Sequence, residues 1–196
     1  MRRSIFACGL LLALAGIPSA AAAVASGNGR QTPEARYAAR HEALLPADER
    51  SINYWSAKAR RAQATTVRWL TVIRGRPPRH VSILGGTSTP QSALSLAHAW
   101  HRRAIAAWRV AQHPPNLRAW NCIHHYEGSW GDPDAPYWGG LQMDYSFQSA
   151  YGAWLLKHEG TANHWSPLEQ IWTGVRAWRV RGFAPWSTTA HACGVY

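Results

Sequence analysis

The amino-acid sequence predicts a mainly α-helical protein, with a small C-terminal domain closed by one disulfide and preceded by a basic helical segment. Three observations predict this: apolar residues at helical spacing, Pro and Gly at the ends of those stretches, and two cysteines in the C-terminal half. The 196 residues are 46% hydrophobic and 16% charged, with a formal net charge of +11. This composition excludes a disordered polyelectrolyte, and three cysteines are too few for a disulfide-dense scaffold.

The first 25 residues are typical of a secretory signal peptide. Arg2 and Arg3 precede an apolar run over residues 5–17, and a tract of small residues follows. The run is shorter than the roughly 20 residues that a membrane-spanning helix needs. We therefore expect residues 1–25 to be removed and the protein to be secreted, either extracellular or associated with the cell wall; a retained membrane anchor is the alternative.

Two amphipathic helices are predicted within residues 26–116. The first, over residues 48–73, has its stripe at Ile52, Trp55, Ala59, Ala62, Thr66, Trp69 and Ile73. The second, over residues 91–112, has its stripe at Leu96, Ala97, Trp100, Ala104, Trp108 and Ala111. We expect these stripes to pack on one another or on the C-terminal domain, since helix packing explains their aromatic residues better than ligand contact.

The basic character of the chain is confined to its N-terminal part. Residues 26–119 contain 15 Lys+Arg and 4 Asp+Glu, whereas residues 120–196 contain 4 and 6. This asymmetry predicts a segment that binds a polyanion, such as an anionic wall polymer, joined to a domain of residues 117–196 that needs no positive charge. No nucleic-acid partner is expected, because the chain has no recognised DNA-binding motif and its predicted export leads away from the genome.

Cysteine usage predicts one disulfide. Removal of residues 1–25 would remove Cys8 and leave Cys122 and Cys193. An even number of cysteines in an exported protein favours pairing, so we predict a bond between these two; two free buried thiols are the alternative. A disulfide that closes so long a loop stabilises a fold by roughly 4 kcal/mol in the chain-entropy model.

A carboxylate stands at the predicted end of a helix over residues 117–127. Gly128, a usual helix terminator, follows Glu127 directly. The partial negative charge of a helix C-terminus and the nearby aromatic residues Tyr126, Trp130 and Trp138 would both favour a protonated carboxyl. Such a group is suited to general acid catalysis, although a Glu that merely ends a helix is the more common case.

A turn with paired glycines follows. Gly139 and Gly140 would let the backbone approach a ligand closely, and Gln142 could exchange hydrogen bonds with a sugar. On its own this is a weak turn signal. Two further helices are predicted over residues 146–156 and 167–181, the latter with Leu168, Ile171, Trp172, Val175 and Trp178 at helical spacing.

Taken in order, the motifs of the C-terminal domain resemble the transglycosylase-like domain of resuscitation-promoting factors, which are secreted actinobacterial muralytic proteins. The matching residues are Cys122, Glu127-Gly128-Ser129-Trp130, Tyr137-Trp138-Gly139-Gly140-Leu141-Gln142, Tyr151-Gly152, Glu169-Gln170, Gly182, Pro185-Trp186 and Cys193-Gly194. The resemblance covers residues 120–196 and implies a lysozyme-like fold with a stabilising disulfide. The chain departs from the family in two places. Gly128-Ser129 stands where the family has Ser-Gly, and Cys122 lies five residues before Glu127 instead of beside it.

The resemblance implies cleavage of the β-1,4 bond between N-acetylmuramic acid and N-acetylglucosamine in peptidoglycan, with Glu127 as the catalytic acid. The expected substrate-binding residues are Trp130, Tyr137, Trp138, Gly139, Gly140, Leu141, Gln142 and Asp144. Hydrolysis would require a second carboxylate, for which Asp144 is best placed in sequence, whereas a lytic transglycosylase would need none. Both reactions stay open at this point, and lone-Glu chemistry fits slightly better. No cofactor is expected.

The main alternative is a secreted wall-binding protein that recognises glycan while Glu127 does no chemistry. A metal site at His124, His125 and Glu127 is disfavoured, because adjacent histidines point to different helix faces and the spacing matches no zinc motif.

Overall fold

The computed structural model describes residues 46–79, 81 and 87–195, together with Thr32 and Arg36. The predicted signal segment of residues 1–25 lies outside the described residues. Pro46–Tyr196 forms one compact unit, which is mainly helical as predicted. Its elements in chain order are α1 Ala47–Arg74, α2 Pro90–Ala111, α3 Leu117–Glu127, β1 Tyr137–Trp138, β2 Met143–Asp144, α4 Tyr145–Glu159, α5 Pro167–Arg181 and α6 Ser187–Ala192.

The helices α1 and α2 pack side by side and run in the same direction, with Trp55 against His98 and Trp69 against Trp108. Their predicted positions are confirmed to within a residue or two. At Gly75 the backbone adopts φ 77°, and its N–H donates to the carbonyl of Thr71, which ends α1. A capping box between Thr89 and Ser92 begins α2. The two stripes meet where Ala59, Ala97 and Trp100 are buried, and small residues there let the helices approach closely.

The hydrophobic core of the remaining elements surrounds α5, whose predicted span is confirmed. Ser166 and Glu169 form the capping box that begins this helix. Ile171, Trp172 and Val175 are buried in the core with Trp120. The α1–α2 pair contacts this core directly: the indole N–H of Trp172 donates to the carbonyl of Ala111 over 2.8 Å. The pair is therefore part of the same packed structure.

Two arginines fasten α1 to the later helices. Arg68 Nη2 lies 2.5 Å from Glu169 Oε1 and 2.8 Å from Glu159 Oε1, which places one cation between two carboxylates. Burial, together with the neighbouring charge of Glu169, raises the pKa of Glu159. Arg176 donates to the carbonyls of Val72 and Tyr151, and burial lowers its pKa to about 10.

The predicted disulfide between Cys122 and Cys193 is present. It joins the middle of α3 to the residue that follows α6, across 71 positions of sequence. Helix α6 has only 6 residues and was not predicted from the sequence. The bond thus fixes a short terminal helix beside the helix that ends in Glu127.

Among the described residues, no helix is long and apolar enough to cross a membrane.

Candidate active site

Glu127 is the last residue of α3, and the predicted span of this helix is confirmed. Gly128 ends the helix at φ 145°, a conformation that favours glycine, and its N–H donates to the carbonyl of His124. The side chain of Glu127 is half-buried. The carboxylate therefore stands at the end of a rigid element, with access to solvent.

Thr189 of α6 holds this carboxylate. Its hydroxyl lies 2.8 Å from Glu127 Oε1 and 3.2 Å from the carbonyl of Trp186, and a single hydroxyl proton can be donated to only one of them at a time. Since the shorter contact is to Glu127, we take that bond as the main one. Thr189 was not predicted from the sequence. The available signal was its position four residues before Cys193, because the predicted bond to Cys122 brings that segment close to α3.

The paired glycines form the turn of a short hairpin between β1 and β2, in which Tyr137 pairs with Asp144 and Trp138 with Met143. These two strands were not predicted from the sequence, which indicates only the turn between them. Gly139 and Gln142 both have positive φ, 74° and 48°, and the N–H of Gln142 donates to the carbonyl of Gly139 over 3.0 Å. This geometry aims the turn inward, toward α3 and α5.

Close packing explains why this turn contains two glycines. A Cβ atom on Gly139 would lie 2.5 Å from Gln170 Oε1, and one on Gly140 would lie 2.4 Å from His124 Nδ1. The N–H of Gly140 also donates to Gln170 Oε1 over 2.8 Å. Both glycines are buried, as is Leu141, whose side chain is completely enclosed in the core. These three of the expected substrate-binding residues pack internally in this structure.

Gln142 is the member of the turn that stands nearest to the end of α3. Its Nε2 donates to Asp132 Oδ2 over 2.8 Å and to the carbonyl of Gly139 over 3.2 Å. A Cβ atom on Gly128 would lie 3.3 Å from this nitrogen, so the amide packs against the residue directly after Glu127. The half-buried Gln142 therefore joins the hairpin to the end of the helix.

The three aromatic residues expected at the site differ in exposure. The Trp130 ring stacks on His124 with centroids 3.8 Å apart, which ties the loop after α3 back to that helix. Trp138 is half-buried, and Tyr137 is 50% exposed. An exposed aromatic face of this kind is a surface on which a sugar ring can stack.

Asp144 is engaged at the start of α4. Its Oδ1 accepts hydrogen bonds of 2.7 Å from both the Ser146 hydroxyl and the Phe147 N–H, and these bonds lower its pKa. A carboxylate used in this way is a helix cap. Asp132 is occupied too, because Oδ2 accepts from Gln142 and Oδ1 accepts from the N–H of Asp134.

Within the described residues, no three His, Cys, Asp or Glu side chains come together in a way that could hold a metal ion. The ring of His124 is instead stacked on Trp130, and its Nδ1 lies 3.3 Å from the carbonyl of Gly140.

No family model, curated protein or solved structure matches this chain.

Proposed function

We propose that this protein is a secreted muralytic enzyme that cleaves the β-1,4 bond between N-acetylmuramic acid and N-acetylglucosamine in peptidoglycan. The proposal includes a lysozyme-like identity for the domain of residues 117–196 and membership of the resuscitation-promoting-factor-like group that its motifs resemble. A role in wall remodelling or resuscitation follows from the same resemblance.

One observation carries the proposal most directly: Glu127 is a half-buried carboxylate, fixed at a helix end and bound by a hydroxyl from a second helix. An acid catalyst must present its proton to one oxygen of the substrate, so its side chain must be held in a defined rotamer. Gln142 and the exposed Tyr137 lie on the adjoining loop and hairpin, where they supply hydrogen bonding and a stacking surface for sugars.

In the proposed reaction, protonated Glu127 donates its proton to the glycosidic oxygen while the bond from that oxygen to C1 of the muramic acid breaks. N-acetylglucosamine leaves with a new 4-hydroxyl. The carboxylate of Glu127 then removes the proton from the 6-hydroxyl of the same muramic acid, whose oxygen attacks C1. The products are a 1,6-anhydro end and a Glu127 that is protonated again.

The state of the other carboxylates supports this single-acid route over hydrolysis. Asp132 and Asp144 are committed to structural hydrogen bonds, and Glu159 and Glu169 are paired with Arg68. Hydrolysis by an ordinary pair of carboxylates would require one of these four to give up its present partner, or would have to use Asp134, which is exposed on the loop after α3.

The exposed basic residues of α1 are the proposed contact for anionic wall polymers. Lys58 and Arg60 are exposed there. Phosphate-bearing polymers attached to peptidoglycan would bring the enzyme to its substrate through charge attraction that weakens with salt. Removal of such polymers from purified walls should lower sedimentation of the protein with them.

The deciding experiment is mass spectrometry of the soluble fragments that the protein and its Glu127→Gln variant release from purified peptidoglycan. We expect 1,6-anhydro ends from the unaltered protein and a loss of about 10³-fold in release from the variant, as is usual when a general acid is removed. Glu49→Gln, which removes an exposed carboxylate on α1, is the matched control and should release fragments normally.

Two results would change the conclusion. Reducing ends in place of anhydro ends would make the protein a glycoside hydrolase. If neither protein releases fragments while both sediment with the wall, the catalytic proposal fails and a non-catalytic glycan-binding protein takes its place.

A further inference from the structure

A second concave surface lies between α1 and α2, and none of the candidate active-site residues lines it. Its cavity volume is about 630 Å³, within the range of sites that hold small molecules. The walls are largely apolar and include Val67, Leu70, Ile73, Ala107 and Val110. Val110 is 54% exposed, so an apolar wall of this groove opens to solvent.

Two cations line the same groove from opposite helices, Arg74 from α1 and Arg103 from α2. No Asp or Glu belongs to the lining, and in the described part of the chain no carboxylate forms a salt bridge with either arginine. The Cζ atom of Arg103 lies 4.7 Å from the centroid of the Trp100 ring. This contact orients the guanidinium of Arg103 without neutralising its charge. This differs from Arg68, whose charge is offset by two glutamates.

We propose that this groove binds one acyl chain of an anionic phospholipid of a membrane surface, and that the cations of its lining, Arg74 and Arg103, attract the negative headgroup. An apolar trough with cations at its edge is complementary to a molecule that has a hydrocarbon chain next to a negative headgroup. A phosphate polymer without a chain would use the arginines and leave the apolar walls exposed. The proposed lipid site is separate from the candidate glycan site, and lipid binding there does not depend on the chemistry of Glu127.

Isothermal titration calorimetry with single-chain lipids below their micelle concentration tests this site. Lysophosphatidylglycerol should bind with one molecule per protein. Lysophosphatidylcholine of the same chain length should bind at least tenfold more weakly, because its choline offsets the phosphate charge. Glycerol 3-phosphate, which is a headgroup without a chain, should bind too weakly to measure.

Matched variants separate the groove from general charge attraction. Arg74→Gln with Arg103→Gln should weaken lysophosphatidylglycerol binding at least tenfold, whereas Arg102→Gln with Arg109→Gln removes equal charge from exposed positions of α2 outside the lining and should change it less than twofold. Val110→Ser should weaken binding severalfold, since it makes one apolar wall polar. Circular dichroism checks that each variant is folded.

Three results would overturn the proposal. Equal weakening by the two double variants would show that charge alone attracts the lipid. Equal binding of the two lysolipids would remove the role of the arginines. Full competition by inorganic polyphosphate, with Val110→Ser binding normally, would assign the groove to a phosphate polymer.

Discussion

The α1–α2 pair and the region from α3 to α6 are stabilised in different ways. Small and aromatic residues fill the contact between α1 and α2, where Ala59 and Ala97 are buried with Trp100. The interior of the later region also contains fully buried amides, Gln148 and Gln170, each with both side-chain ends hydrogen-bonded. Apolar stripes specify that two helices pack, whereas buried hydrogen bonds specify one geometry. The interior of the region with the candidate active site therefore restricts its packing to one geometry more strongly than the contact between α1 and α2 does.

Gln170 shows this most clearly. Its Nε2 lies within 2.7–3.0 Å of the carbonyls of Trp130, Ala162 and Trp165, and its Oε1 accepts the N–H of Gly140. One side chain therefore joins α5 to the loop after α3, to the glycine turn and to the connection between α4 and α5.

The largest effect is expected from Gln170→Leu. It should lower the free energy of unfolding by on the order of 5 kcal/mol, because several buried backbone groups lose their partner at once. Urea denaturation followed by circular dichroism measures this change. Gln91→Leu, at an exposed position of α2, should stay within about 0.5 kcal/mol. Equal effects of the two substitutions would remove the distinction between the regions.

Loss of the disulfide comes next. Replacing both Cys122 and Cys193 by Ser should lower the free energy of unfolding by about 4 kcal/mol. Because the bond tethers α6, hydrogen exchange should accelerate first in that helix and later in α1 and α2. Uniform acceleration over all helices would mean that the disulfide acts on the whole unit instead of on α6.

Thr189→Val sharpens the comparison at the candidate active site. The valine cannot donate to Glu127, so kcat for peptidoglycan cleavage should fall roughly tenfold, about 1.4 kcal/mol, with little change in KM. Thr189→Ser keeps the hydroxyl and should restore most of the activity. Thr65→Val removes a hydroxyl that bonds to its own helix in α1, and it serves as the control. An unchanged kcat in Thr189→Val would show that the hydrogen bond from Thr189 does not position Glu127 for catalysis.

The smallest effect concerns helix caps. Asp144→Ala and Thr89→Ala should each destabilise the protein by about 1 kcal/mol at neutral pH. The folded pKa of Asp144 is lowered, so its contribution is complete above the unfolded value of 3.8 and is lost as the pH falls through the folded value. The Asp144→Ala difference should therefore shrink in acid, while the Thr89→Ala difference stays constant. Parallel pH profiles would contradict this assignment.

The sequence was sufficient to locate the long helices, because α1, α2 and α5 repeat their apolar residues over many turns. The prediction for α4 was too short at its C-terminal end: residues 146–156 were predicted and Tyr145–Glu159 is helical. Gly152 has non-helical φ and ψ inside this helix, where a Cβ atom would lie 2.6 Å from the ring of Trp165. A tertiary contact of this kind requires a glycine inside the helix, and the glycine interrupts the spacing of apolar residues from which a helix is predicted.

The candidate site was only partly predictable for a related reason. Glu127 and the glycine turn have local signals, namely a helix terminator and a Gly-Gly pair. The bond from Thr189 spans 62 positions, and the hairpin has strands of only two residues each, so neither leaves a periodic pattern. The turn that contains the buried Leu141 also has Gln142 at positive φ, a conformation that this residue adopts less readily than glycine.

The position of Arg68 bears on how this chain can be divided in evolution. Glu169 is only 2% exposed and has its counter-ion on α1. A gene fragment that began at α3 would encode this acid without the arginine, and a buried charge that loses its partner typically costs 3–5 kcal/mol, a large part of the stability of a small domain. Glu169 would then keep only its bonds from Ser166. We therefore expect a segment transplanted without α1 to be less stable than one that includes it.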